Sequence, residues 1–180
     1  MRKLEHEEIP RISPTDLESA ERYPISILLE DIRSAHNVGS IIRTADAIRA
    51  AHIFLAGVTA SGDHKGVHKS ALGAQDAVPW EYVDSALACV KKARASGITV
   101  VGLEITDSPT DLKEFSKEKF PIMLVVGNEV EGISAEVLEA CDHAIELPQY
   151  GMKQSLNVSV AAGVALYDML RIYLGSHKFV

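Results

Sequence analysis

The chain has 180 residues, 47% of them apolar, and a formal net charge of −7. That size and apolar content fit one soluble domain with a sizeable core. No run of ~18 apolar residues suggests a membrane span, and the acidic balance argues against a general nucleic-acid coat.

Residues 1–23 are polar and charged with scattered Leu4, Ile9, Ile12 and Leu17, and read as a lead-in or short helix. No apolar stretch there resembles a secretory signal, so the cytoplasm is the expected compartment. A strand is expected at 25–30, followed by a helix at about 38–50 on which Ile41, Ala45 and Ile48 recur at helical spacing. Arg43 then falls on the opposite, polar face, about one turn beyond Ser40; the ordinary reading is a weak surface ion pair with Asp46.

A second strand is expected at 53–58, and a weaker extended piece at 78–83 contains Pro79 and the sole tryptophan, Trp80. Between them, His64 and His68 have the i, i+4 spacing of helical metal ligands. Gly62 and Gly66 argue against a helix there and no third ligand is evident, so no metal is expected. A helix is expected at 84–96, ending at the C-cap signal Gly97, with Lys91, Lys92 and Arg94 on its wet face. Strands at 98–104, 121–126 and 143–147 and helices at 134–141 and 156–174 complete the series. Strands alternating with helices define an α/β domain with a mostly parallel sheet and helices on both faces. Cys89 and Cys141 lie far apart without CxxC spacing, so they read as small core residues.

Three segments carry chemical information. The first is N-V-G-S-I-I-R-T-A-D-A at 37–47, after the first strand. The second, G-N-E-V-E-G-I-S at 127–134, is a Gly-flanked acidic loop at the end of a fully apolar strand. Such strand ends are where open α/β sheets bind ligands. The third is P-Q-Y-G-M-K-Q-S-L-N-V-S-V-A-A at 148–162. Pro148 and Gly151 interrupt regular structure, Ser155 is a candidate N-cap, and the free N–H groups behind it suit a polar or anionic ligand group.

In this order, the three segments resemble the SpoU (TrmH) family of RNA ribose 2′-O-methyltransferases, within the SPOUT superfamily. H-K-S-A-L-G-A at 68–74 looks like a segment that this family carries between its first two motifs. The resemblance spans roughly residues 24–175 and makes 24–180 the methyltransferase domain. It implies a SPOUT fold with a C-terminal trefoil knot, a feature outside ordinary chain topology. It also implies S-adenosylmethionine as cofactor, tRNA or rRNA as substrate, and a homodimer packed partly through the 156–174 helix, whose small residues permit close approach.

By the same resemblance, Arg43 and Asn37 match the catalytic arginine and its neighbouring asparagine, and Glu129, Ser155 and Asn157 match the other polar motif positions. Glu129 is expected to orient Arg43 or the target nucleotide. Gly127, Leu147 and Leu156, with Leu103 as a further candidate, match the cofactor contacts. An acidic protein that handles RNA needs a local basic surface. Arg33, Lys65, Lys69 and Lys153 are the candidates for it, joined by His64 and His68. Two rival classes stand beside this reading. A dinucleotide-dependent oxidoreductase lacks its G-x-G-x-x-G after the first strand, and a non-catalytic RNA-binding module would have little use for Asn37, Arg43, Glu129, Ser155 and Asn157 together.

Overall fold

A computed structural model describes residues 1–10 and 12–175. Six parallel strands form one sheet: β1 (Tyr23–Glu30), β2 (Ala50–Ala56), β3 (Trp80–Val83), β4 (Thr99–Leu103), β5 (Ile122–Val126) and β6 (His143–Ile145), in the order β3-β2-β1-β5-β4-β6. The two central strands, β1 and β5, are buried on both faces from Ile25 and Ile122 onward. This is why they read as continuous apolar runs rather than alternating ones.

Side-chain alternation sends the two halves of each strand to different helical layers. Ile25, Ile27, Leu29, Leu124 and Val126 face a core formed with α2 (Ala35–Ala47), α3 (Lys65–Ala71), α4 (Ala74–Ala77) and α7 (Val158–Leu174). Leu28, Val100, Met123 and Val125 face α5 (Ala86–Ala95) and α6 (Ala135–Ala140). The expected α/β architecture with helices on both faces is therefore present. A short α1 (Pro14–Ser19) precedes the sheet.

Several expected boundaries move. α2 starts three residues before the expected 38 because Ser34 caps it, its Oγ accepting from Asn37 N at 3.3 Å. It also ends earlier, at Ala47. Arg49 takes a left-handed φ of 49°, its guanidinium bonds the Tyr23 hydroxyl at 2.9 Å, and the chain enters β2 at Ala50. β3 sits at the edge beside β2, where Pro79, which has no N–H to offer, accepts from Ile53 N through its carbonyl at 2.9 Å. β6 ends at Ile145, two residues short of expectation, so Leu147 belongs to the loop.

The helix α3 contradicts the reading of 62–68 as non-helical. His64 is its N-cap, with Nδ1 accepting from Gly66 N at 3.0 Å, so Gly66 sits in the first turn, where flexibility costs least. Gly39 lets α3 lie directly on α2: a Cβ there would stand 2.2 Å from Ser70 Oγ and 2.4 Å from Val67 O.

The last crossing is unusual for a doubly wound sheet. β6 lies at the edge, yet α7 packs against α2, β1 and β5 at the centre. Residues 146–157 therefore return across the sheet, the path that the expected knot requires. The small residues Ala162 and Ala165 are spent inside this chain, against the core. The outer face of α7 instead exposes Val160, Val164, Tyr167 and Leu174. Among the described residues, no helix is long and apolar enough to cross a membrane.

Candidate active site

The carboxyl ends of β4, β5 and β6 and the start of α7 enclose a cleft of about 290 Å³. This lies at the low end of roughly 300–1,000 Å³ for small-molecule sites. Leu103, Gly127, Leu147 and Leu156 all line it, as do Glu129, Ser155 and Asn157. Four positions expected at the cofactor and three expected at the chemistry thus share one cavity.

Gly127 is required by the loop that follows it. A Cβ on Gly127 would stand 2.3 Å from Gly132 C and from Ile133 N. The loop is closed by Asn128 N donating to Gly132 O at 2.9 Å and Gly132 N donating to Asn128 O at 3.0 Å. The Asn128 side chain, which no sequence argument singled out, completes the lock. Its Oδ1 accepts from Val130 N and Glu131 N, and its Nδ2 donates to Asp31 O at 2.8 Å, at the end of β1. Only the pairing of an asparagine with flanking glycines hinted at such a turn.

This lock aims Glu129 at the first motif. One carboxylate oxygen accepts from Arg33 N at 2.9 Å, and the other accepts from Ser34 N at 3.1 Å and Asn37 Nδ2 at 2.8 Å. The first two donors are free amides at the mouth of α2, where a carboxylate is favoured. Partial burial by itself would push the Glu129 carboxyl up, but the hydrogen bonds from Arg33, Asn37 and Ser34 together hold it below its ordinary value. Asn37, buried, passes the link onward: its Oδ1 accepts from Asn157 Nδ2 at 3.2 Å. Asn157 in turn caps α7, its Oδ1 accepting from Ser159 N at 2.9 Å and from Ser159 Oγ at 2.7 Å. One chain of side chains, Glu129–Asn37–Asn157, therefore joins all three sequence segments.

Two expectations need correction. Ser155 is not the cap of α7; the helix starts two residues later than expected, because the amide oxygen of Asn157 reaches the free Ser159 N–H. Ser155 remains exposed on the cleft wall. Glu129 does not engage Arg43, since its oxygens are committed to residues 33, 34 and 37. Arg43 is exposed on α2, does not line the cleft, and forms no ion pair with Asp46 or any other described residue.

Arg33, Lys65, Lys69 and Lys153 are all exposed. Arg33 adjoins the Glu129 network through its own backbone. α3, which carries Lys65 and Lys69, abuts the first turns of α2, with Ser70 Oγ donating to His36 O at 2.9 Å. Burial pushes the Cys89 thiol up to about 11 and the Cys141 thiol up to about 12. Neither is a ready thiolate. Among the described residues, no three His, Cys, Asp or Glu side chains are grouped to hold a metal.

Comparison with known proteins converges on one family. The sequence profile described as the SpoU rRNA Methylase family matches residues 24–167. The chain is 32% identical, over 146 residues, to the tRNA (guanosine(18)-2′-O)-methyltransferase of Aquifex aeolicus, covering 81% of this chain and 68% of that protein. It is 33% identical, over 155 residues, to the 23S rRNA (guanosine-2′-O-)-methyltransferase RlmB of Ralstonia nicotianae, covering 86% of this chain and 61% of that protein. The chain thus spans about three fifths of the length of several curated relatives. Among solved structures, the SpoU methyltransferase AviRb of Streptomyces viridochromogenes in complex with its cofactor AdoMet superposes with a TM-score of 0.74 at 31% identity, covering 84% of this chain and 60% of that one.

Proposed function

The chain belongs to the SpoU rRNA methylase family, and on that premise we propose that it transfers a methyl group from S-adenosylmethionine to a ribose 2′-hydroxyl of tRNA or rRNA. The observation that carries this reading is the Glu129–Asn37–Asn157 chain standing at the mouth of the strand-end cleft. Two of the relatives are named as 2′-O-methyltransferases of guanosine, one in tRNA and one in 23S rRNA.

The residues of the cleft fit the cofactor. Leu103, Leu147 and Leu156 offer apolar walls for an adenine, and the strand-end loops offer backbone groups for its polar edges. When bound, S-adenosylmethionine supplies an electrophilic methyl on a positively charged sulfur. The protein must then position the ribose oxygen in line with that methyl and manage the hydroxyl proton. Asn37 and Asn157 hold fixed amide groups beside the cleft. Glu129, committed to the amides of the α2 mouth, keeps that loop in place rather than acting as a base.

Arg43 is the proposed catalytic residue. A guanidinium is a poor formal base, with a pKa above ~12. Its role is to bind an RNA phosphate and stabilise the developing alkoxide, an electrostatic contribution that needs no proton transfer to arginine. Arg33, Lys65, Lys69 and Lys153 supply the basic surface for the RNA backbone. The proposed working form is a cytoplasmic homodimer, in which a second copy covers Val160, Val164 and Tyr167 on α7. A light-scattering mass near 19.5 kDa at micromolar concentration would contradict the dimer. The activity itself is tested by nucleoside mass spectrometry of RNA from cells with and without the gene. Loss of one 2′-O-methylnucleoside is expected, and an unchanged profile contradicts it.

A further inference from the structure

We propose that Glu30 is a positioning residue for the methyl donor: from the end of β1 it fixes the exit of the loop that walls the cleft, without lining the cleft itself. The proposal rests on the methyltransferase reading above and deepens it. Glu30 is buried, 6% exposed, and is not among the cleft residues. One of its carboxylate oxygens accepts from Ser134 N at 3.0 Å and the other from Ser134 Oγ at 2.7 Å. Among the described residues, no cation pairs with it. A buried carboxylate is costly unless its oxygens are satisfied, and here one residue, Ser134, holds both. Ser134 stands where α6 begins, a place where serine commonly caps the helix. Its side chain caps no amide of α6 and is given to Glu30 instead.

Ser134 closes the segment that opens at Gly127 and supplies Gly127, Asn128, Glu129, Val130 and Gly132 to the cleft wall. The end of β1 ties this segment at both ends. Asp31, next to Glu30, accepts from Asn128 Nδ2 through its carbonyl at 2.8 Å, and Glu30 takes Ser134. β4, on the other side of β5, adds a third tie from Glu104 to Ile133 N at 2.9 Å. Both strands that flank β5 therefore hold the loop that follows it. Because Glu30 stands outside the cleft, any effect it has on a ligand passes through Ser134 and this loop. The alternative is a helix role alone: a carboxylate at the mouth of α6 favours that helix through its dipole. Such a role lowers thermal stability when lost, leaves the affinity of the folded protein unchanged, and depends on charge rather than on reach.

Titration calorimetry with S-adenosylmethionine, run well below the thermal midpoint of every variant, separates the two. Glu30→Asp keeps the charge but is one methylene shorter, so it loses its reach to Ser134. It should weaken binding about tenfold, the scale of losing a charge-assisted hydrogen bond. Glu30→Gln keeps the reach, since its amide oxygen can accept from Ser134 N while its NH₂ donates to Ser134 Oγ, and it should bind within about threefold of the wild type. Ser134→Ala removes only the hydroxyl and should cost about threefold; it carries the test where Glu30→Asp does not fold. Wild-type affinity in Glu30→Asp or in Ser134→Ala overturns the proposal, as does a larger loss in Glu30→Gln than in Glu30→Asp. If the wild type itself does not bind S-adenosylmethionine, the methyltransferase reading falls and takes this inference with it.

Discussion

The strand-end cleft and the outer face of α2 and α7 are built on opposite terms. The cleft is walled by residues of a single chain. Its walls are strand ends and locked loops, and two of its glutamates are held by backbone amides, Glu129 by Arg33 N and Ser34 N and Glu104 by Ile105 N and Ile133 N. The outer face differs: Arg43 forms no ion pair with any described residue, and Val160, Val164 and Tyr167 lie exposed. On the proposed function, the small molecule would be met by preorganised backbone, whereas an RNA and any second copy would have to complete their own site. Preorganised groups cost nothing to rearrange at the moment of reaction. A lone exposed guanidinium acquires its strength only when a substrate or partner removes water around it.

The largest effect is expected at Arg43. Arg43→Ala should lower methyl transfer by on the order of 10³-fold while cofactor affinity stays within twofold, measured by single-turnover transfer beside calorimetry. A parallel loss of cofactor binding would put Arg43 in the preorganised half and overturn the division. The converse test is Gly127→Ala. The added methyl meets the backbone of Gly132 and Ile133 at 2.3 Å, so the loop must open, with a cost of about 1–3 kcal/mol in stability. Cofactor affinity should fall at least tenfold, and a variant with wild-type affinity would mean that the cleft is not set by this loop.

Glu129→Gln is the milder probe, expected to cost about 1 kcal/mol at pH 7 because the side chain is partly exposed. Its pH dependence carries a sign. The folded-state value lies below the ordinary 4.5, so the ionised group's contribution is fully present above the ordinary value and is lost as pH falls through the folded one. The stability gap between wild type and variant should therefore be constant near neutrality and close under acid. A gap that widens below pH 4.5 would contradict the hydrogen-bonded role of the carboxylate.

Much of the preorganised half was legible because its signals are local. The apolar runs of β1 and β5, the Gly97 cap and the Gly-flanked 127–132 loop each act on their immediate neighbours. Gly97 does take a left-handed φ of 78°, just beyond α5. What stayed hidden depends on distant partners. Nothing in the spacing of residues 62–71 tells that Gly66 would sit in a first turn capped by His64, or that Gly39 would hold a place for Ser70. Asn128 reads as an ordinary turn residue until its amide is seen on Asp31 O. The role of Asn157 as cap, in place of Ser155, was equally ambiguous, since both residue types cap well. The return of residues 146–157 to the sheet centre leaves no periodic trace at all.

Ribose and base modification differ in the atom that receives the methyl group. A substrate RNA carrying a single 2′-deoxyribose at the modified position presents the same base and the same phosphates without the nucleophile. The account predicts that this RNA binds but accepts no methyl group there, because no available thiolate stands by to activate a base carbon. Undiminished methylation of the deoxy position would contradict ribose modification and place the chemistry on the base.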